Sequence, residues 1–168
     1  IIALSVPQQL TSLYLQNVHH ISIQQIGTMG TIASIGTAII MFSLGNLRPS
    51  TGMLIGQLLL AGFALLMWQG QSVMAYFAGY FFVSGYQLYR SMALAFSRSL
   101  VKVADTGLAY GLVETGNALA VVVAPLAAGF LYNYRPEAVY IASLGALVIT
   151  VGLNRLLFHE KRNEILPI

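Results

Sequence analysis

Apolar runs of helical length alternate with short polar, glycine or proline clusters along the whole chain. Five such clusters divide the chain into six apolar segments. The segments are rich in Leu, Ala, Gly and Met without period-two alternation, which favours helices over the strands of a transmembrane barrel. The predicted spans are 1–18, 22–44, 53–68, 72–97, 107–132 and 138–158, followed by a cytoplasmic tail at 159–168. The pattern therefore predicts an all-α membrane protein with six transmembrane helices in one bundle.

Local sequence features predict how some of these helices begin and bend. Ser22, with Gln25 three positions later, predicts a capping box at the start of the second helix. Pro7 predicts a kink in the first segment. As one continuous helix, the fourth segment at 72–97 is about 39 Å long against a hydrocarbon core of roughly 30 Å, so we expect it to tilt or protrude into the cytoplasm.

Composition supports the membrane interpretation and excludes several function classes. Of 168 residues, 57% are hydrophobic and only 8% charged, whereas a soluble domain carries about 25% charged residues. The chain has no Cys, which excludes a disulfide framework and a thiolate metal site. Its eight Lys and Arg are too few and too dispersed for a nucleic-acid surface. It contains no phosphate loop, nucleophile elbow or paired carboxylates, so we predict no enzyme activity, cofactor or metal.

The distribution of Lys and Arg predicts the orientation in the membrane. If both ends of the chain lie in the cytoplasm, Arg135 is the one Lys or Arg in the predicted outer connections. The inner connections and tail then contain Arg48, Arg98, Lys102, Arg155, Lys161 and Arg162. Because short cytoplasmic loops carry an excess of Lys and Arg, this arrangement predicts a multi-pass protein of the inner or plasma membrane.

Three stretches, in this order, resemble the major facilitator superfamily. VPQQLTSLYLQ followed by ISIQQIG resembles its seventh helix and the start of the eighth, and TGLAYGLVETGNALAVVVAPLAAGFLY resembles the eleventh. LGNLRPSTG resembles the degenerate second copy of its loop motif, with Gly45, Leu47 and Gly52 retained and no Asp. The resemblance covers nearly the whole chain and matches the C-terminal half. It implies two inverted three-helix repeats and an N-terminal six-helix half as partner.

Arg90 and Glu114 are charged residues placed well inside apolar segments. Counted from the loop that joins their helices, both lie roughly 12 to 14 Å deep, so we expect them to meet. A lone charge there costs at least about 3 kcal/mol, which favours pairing or exposure to a watery cavity. Two interpretations stay open: a coupling or gating site that responds to protons or solute, and a purely structural pair.

Uncharged polar residues in the same segments predict a binding surface. Tyr76, Tyr80, Ser84 and Gln87 are spaced by four, four and three in the fourth segment, which places them on one face of a continuous helix. Amides inside a bundle need partners or water. The candidate substrate-binding residues are Gln9, Tyr80, Ser84, Gln87 and Asn117. The alternative is that they form interhelical hydrogen bonds.

Together with the resemblance, these features predict secondary active or facilitative transport of a small solute by alternating access. Efflux of drug-like solutes and uptake of sugars or other neutral solutes both fit the aromatic and amide side chains. The expected partners are the lipid bilayer, the N-terminal half, the solute and, as a candidate coupling ion, protons. The competing hypotheses are a non-transporting scaffold or receptor-like protein and a membrane-embedded enzyme.

Overall fold

The computed structural model describes the backbone of residues 2–164 and the side chains of residues 5–8 and 10–154. All regular structure in this part of the chain is helical, which confirms the all-α prediction for these residues. The helices are α1 (Ile2–Gln9), α2 (Thr11–Asn17), α3 (Ile23–Leu44), α4 (Pro49–Gln69), α5 (Val73–Phe82), α6 (Gly85–Arg98), α7 (Thr106–Tyr134) and α8 (Ala138–Glu164), with a 3₁₀ turn at Val103–Asp105.

Three helical stretches within the described residues are long and apolar enough to cross a membrane. They are Ile23–Leu44, Pro49–Gln69 and Val103–Tyr134. The stretch Ala138–Asn154 of α8 is apolar but shorter. Six spans therefore remain a prediction, supported by length and composition for these three.

The start of α3 shows how local sequence sets a helix boundary. The Ser22 hydroxyl accepts a hydrogen bond from the Gln25 backbone N–H at 3.3 Å, and the Gln25 side-chain oxygen accepts from the Ser22 N–H at 3.2 Å. This reciprocal pair confirms the predicted capping box. At the next boundary, Pro49 is the first residue of α4, where its missing N–H costs no helical hydrogen bond.

Two of the predicted segments are each divided into two helices. In the first segment, the backbone leaves helical geometry at Leu10 (φ −112°, ψ 9°), three residues after Pro7. In the fourth, α5 ends at Phe82 and α6 begins at Gly85, so the prediction of one continuous helix was wrong. The N–H groups of Tyr86 and Gln87 bond to carbonyls three residues back, each at 3.1 Å. This tighter turn changes the direction in which the following side chains point.

Close backbone contact between α4 and α6 accompanies the second break. A Cβ on Gly56 would lie 2.7 Å from the Gly85 carbonyl oxygen, and one on Gly85 would lie 2.6 Å from the Gly56 carbonyl oxygen. Real Cβ atoms do not approach oxygen so closely, so both positions need glycine. The two helices therefore cross with their backbones in contact, and the start of α6 is fixed against α4.

The helices pack in pairs, and α4 has three main neighbours. This helix contacts α5, α6 and α8, while α1 contacts α7 and α8, α3 contacts α5 and α6, and α6 contacts α7. Helices α3 and α7 leave most of their surface exposed, with large apolar side chains outward. Examples are Phe42, Leu108, Leu126 and Phe130. Apolar exposure on this scale indicates contact with lipid or with further helices.

Aromatic rings pack together where the α2–α3 turn meets the start of α5, with 4.9 Å between the ring centroids of His19 and Tyr76. The Tyr76 hydroxyl donates to the Gly70 carbonyl at 2.5 Å and lies 2.9 Å from Nδ1 of His19. Because a phenol has one hydrogen, Nδ1 of His19 is the donor in the second bond. Burial lowers the pKa of His19, against an opposing effect of Glu137. A neutral His19 therefore joins the α2–α3 turn to the start of α5.

The close crossing of α4 and α6 predicts a specific sensitivity. Gly56→Ala should lower the melting temperature, because its Cβ would meet Gly85 O at 2.7 Å and Tyr89 N at 2.9 Å. Gly152→Ala is the matched control, since a Cβ there meets nothing within 4 Å and Ala favours a helix by about 1 kcal/mol over Gly. Thermal unfolding in detergent measures both. Equal melting temperatures for the two variants would contradict the contact.

Candidate functional site

Arg90 of α6 and Glu114 of α7 form an ion pair. Nη2 of Arg90 donates to both carboxylate oxygens of Glu114, at 3.0 and 2.8 Å. This confirms the predicted contact between the two residues. Their side chains are 37% and 41% exposed, so the pair lies at the surface of the described bundle. Nε of Arg90 is buried without a hydrogen-bond partner, so the guanidinium has bonding capacity left.

A second polar contact lies beside the first. The Tyr86 hydroxyl donates to Oδ1 of Asn117 at 2.6 Å. Tyr86 precedes Arg90 by four residues and Asn117 follows Glu114 by three, so each pair of neighbours shares one helix face. We call these four residues the α6–α7 polar ladder. It joins the two helices by one charged and one uncharged contact.

Tyr86 was missed by the sequence analysis. The predicted stripe started from Tyr76 and assumed one helix through 72–97, which placed Ser84 and Gln87 on the face of interest. Tyr86 lies one position, about 100°, before Gln87 on the helix, and the tighter turn between α5 and α6 shifts the phase of the residues that follow it. The four-residue spacing between Tyr86 and Arg90 within α6 is the sequence feature that could have identified Tyr86.

Tyr80 connects the fourth segment to the first. Its hydroxyl lies near the side chain of Ser12 on α2. Its ring meets that of Phe63 edge to face, with 6.4 Å between ring centroids. Ser12 is exposed and Tyr80 is half-buried, so this contact lies at an accessible face of the bundle.

The remaining predicted site residues have different surroundings. Ser84 is 1% exposed and its hydroxyl donates to the Ala33 carbonyl of α3 at 3.1 Å, so its side chain takes part in helix packing. Gln87 is exposed on α6. The side chain of Gln9 lies outside the described residues. The structure thus brings Asn117, Arg90 and Glu114 together, with Gln87 on the same helix as Arg90.

The ladder has the chemistry of a polar binding surface, not of a metal centre. Within the described residues, no group of three or more His, Asp or Glu side chains is placed to hold a metal ion. The ladder offers an amide, a phenol and a balanced pair of charges. These groups can bind a solute by hydrogen bonds, and a carboxylate can also take up a proton.

Comparison with known proteins identifies the family. The model of the Major Facilitator Superfamily matches residues 3–167. The chain belongs to the Major Facilitator Superfamily. The resemblance seen in the sequence motifs is confirmed, and membership implies a multi-pass membrane protein that transports a solute. Neither the curated proteins nor the solved structures that were compared with the chain gave a significant match.

For this superfamily member, the ion pair predicts a coupled response to mutation. Arg90→Gln and Glu114→Gln should each lower the melting temperature, because each leaves one charge without its partner. Exchanging the two, as Arg90→Glu with Glu114→Arg, should recover part of the loss. A double-mutant cycle should give a coupling energy of about 0.5–3 kcal/mol. Additive effects of the single changes would show that the pair contributes nothing.

Proposed function

We propose that the chain is the C-terminal six-helix half of a secondary transporter that moves a small solute by alternating access. The observation that carries this proposal is the α6–α7 polar ladder. In a membrane protein, a half-exposed ion pair between two membrane segments requires water nearby, since hydrocarbon solvates neither charge. An aqueous cavity bounded by α6 and α7 provides that water.

The helix contacts support six spans arranged as two inverted repeats. The first segment packs against the fifth, and the second packs against the fourth. Likewise, the third packs against the fourth, and the sixth packs against the first. Exchanging segments one to three with segments four to six maps each of these contacts onto another. The first segment of each repeat is also the one that breaks, at Leu10 and at Val83–Ser84. Such correspondence is expected of inverted repeats.

The exposed faces of α3 and α7 support a second half as the partner. Both helices expose apolar side chains, and both carry glycines where a Cβ would meet nothing within 4 Å. These glycines are Gly27 and Gly30 on α3 and Gly107 and Gly111 on α7. Small residues let another helix approach closely. The N-terminal half would cover these faces, and lipid would surround the remaining apolar surface.

Within this proposal, the solute is bound by Gln87, Asn117 and Tyr80. The Arg90–Glu114 ion pair couples transport to a proton or gates the solute pathway. Gln9 stays a proposed site residue on its sequence position alone, and Ser84 is supported as a packing residue by its bond to Ala33. The uncharged aromatic and amide groups suit a neutral or weakly polar solute. Efflux of drug-like solutes and uptake of sugars are both compatible with these groups. In proton coupling, protonation of Glu114 would break its ion pair with Arg90.

The proposed topology can be tested by labelling single cysteines, since the chain has none of its own. Ser50→Cys and Lys102→Cys should react only from the cytoplasmic side, and Gln71→Cys and Asn133→Cys only from outside. The reason is the excess of Lys and Arg on the predicted inner connections. An impermeant maleimide applied to intact cells and to inverted vesicles measures this. Reaction of Gln71→Cys and Lys102→Cys from the same side would refute the topology.

Direct solute binding and helix packing make different predictions for the same variants of the complete transporter. Gln87→Ala should raise the half-saturating solute concentration about tenfold, equivalent to ~1.4 kcal/mol for one lost hydrogen bond. Because Gln87 is exposed, the melting temperature of the Gln87→Ala variant should equal that of the unmodified protein. Tyr86→Phe should instead lower the melting temperature, since it removes the bond to Asn117.

Uptake in proteoliposomes and thermal unfolding measure the two quantities. Gln69→Ala, an exposed amide at the end of α4, is the control and should leave both unchanged. Unchanged affinity in Gln87→Ala would remove Gln87 from the proposed site. Solute binding without uptake in the unmodified protein would favour the receptor-like alternative.

A further inference from the structure

An apolar groove runs between α4 and α8, a different pair of helices from the one that forms the α6–α7 polar ladder. Its volume is about 370 Å³. Its walls include Gln57, Leu58 and Ala61 of α4 and Leu144, Gly145 and Val148 of α8. Gln57 is the single polar side chain among the residues that line it, and none of them is charged.

Gln57 has no hydrogen-bond partner in this groove. Its side chain is 1% exposed, and neither Oε1 nor Nε2 is bonded. An amide carries two donors and an acceptor, and leaving all of them unsatisfied in an apolar interior is costly. A bound molecule that offers both an acceptor and a donor would remove that cost.

The surroundings of the groove indicate a lipid. Helix α4 and the stretch Ala138–Asn154 of α8 contain no charged residue, and α8 exposes Val148 and Ile149. Gln57 lies four residues inside the predicted third span, roughly 6 Å below its cytoplasmic edge. The ester groups of a glycerolipid lie at that edge, about one helical turn from Gln57, so a lipid whose acyl chain occupies the groove brings its ester close to the amide. The uncharged lining excludes recognition of a phosphate or a free carboxylate.

We propose that this groove binds a neutral glycerolipid with an acyl ester and a free hydroxyl. The acyl chain lies along Ala61, Leu144 and Val148. The ester carbonyl accepts a hydrogen bond from Nε2 of Gln57, and the glycerol hydroxyl donates to Oε1. The proposal concerns a lipid and not the transported solute, so it holds whether that solute is a drug or a sugar.

A photoreactive monoacylglycerol with a diazirine in its acyl chain tests the site in the complete protein in proteoliposomes. After illumination, mass spectrometry should find the label on peptides that contain 58–61 or 144–151. Unlabelled monoacylglycerol should compete about tenfold better than its alkyl ether analogue, which lacks the carbonyl. This factor corresponds to ~1.4 kcal/mol. In Gln57→Leu, which keeps the size but not the amide, the two competitors should be equal.

Two matched glycine variants separate groove binding from general contact with lipid. Gly145 lines the groove and has room for a side chain, so Gly145→Leu should fill it and reduce labelling at least fivefold. Gly152→Leu, on the same helix with equal room but outside the lining, should label like the unmodified protein. Equal labelling of both variants would overturn the proposal. Equal competition by ester and ether, or crosslinks to a second copy of the chain in place of lipid, would do the same.

Discussion

An ionised side chain cannot be left alone in hydrocarbon, and this constraint organises the polar part of the bundle. Arg90 and Glu114 meet it by pairing across α6 and α7, with Nη2 shared between both carboxylate oxygens. The pair fixes the two helices side by side. It also aligns Tyr86 with Asn117 one turn away, so an uncharged contact adds to the charged one. Both ions are partly exposed, at 37% and 41% of their side-chain surface.

A second constraint, steric in origin, decides which side chains reach that surface. The backbones of α4 and α6 touch at Gly56 and Gly85, immediately after the break between α5 and α6. The tighter turn at this break shifts the directions in which the side chains after it point. Ser84 lies against α3, while Tyr86, two residues and about 200° further round the helix, reaches α7. A substitution at either glycine would act on the ladder through the position of α6, without touching any ladder residue.

Structure could be predicted from the sequence best where its cause is local, or where an unpaired group would cost much free energy. The capping box at Ser22 follows from neighbouring residues, and the Arg90–Glu114 contact follows from the cost of isolated charge. The break at Val83–Ser84 was missed although Ser84–Gly85 is a dipeptide at which helices can kink, because the close contact that accompanies it involves a glycine on another helix. Tyr86 was missed although its four-residue spacing from Arg90 was visible in the sequence, and Ser84 stays a predicted site residue that the structure shows bonded to α3. The unbonded amide of Gln57 depends on what α8 places opposite it, which a single sequence does not contain.

The most direct measurement of a solute pathway beside α6 and α7 is the accessibility of spin labels in proteoliposomes. A label at Gln87 is compared with one at Val148, which lies on the apolar outer face of α8. A water-filled pathway predicts that a polar nickel chelate relaxes the Gln87 label more than oxygen does, and that oxygen dominates at Val148. If oxygen dominates at both positions, Gln87 faces lipid and the α6–α7 polar ladder lines no aqueous pathway.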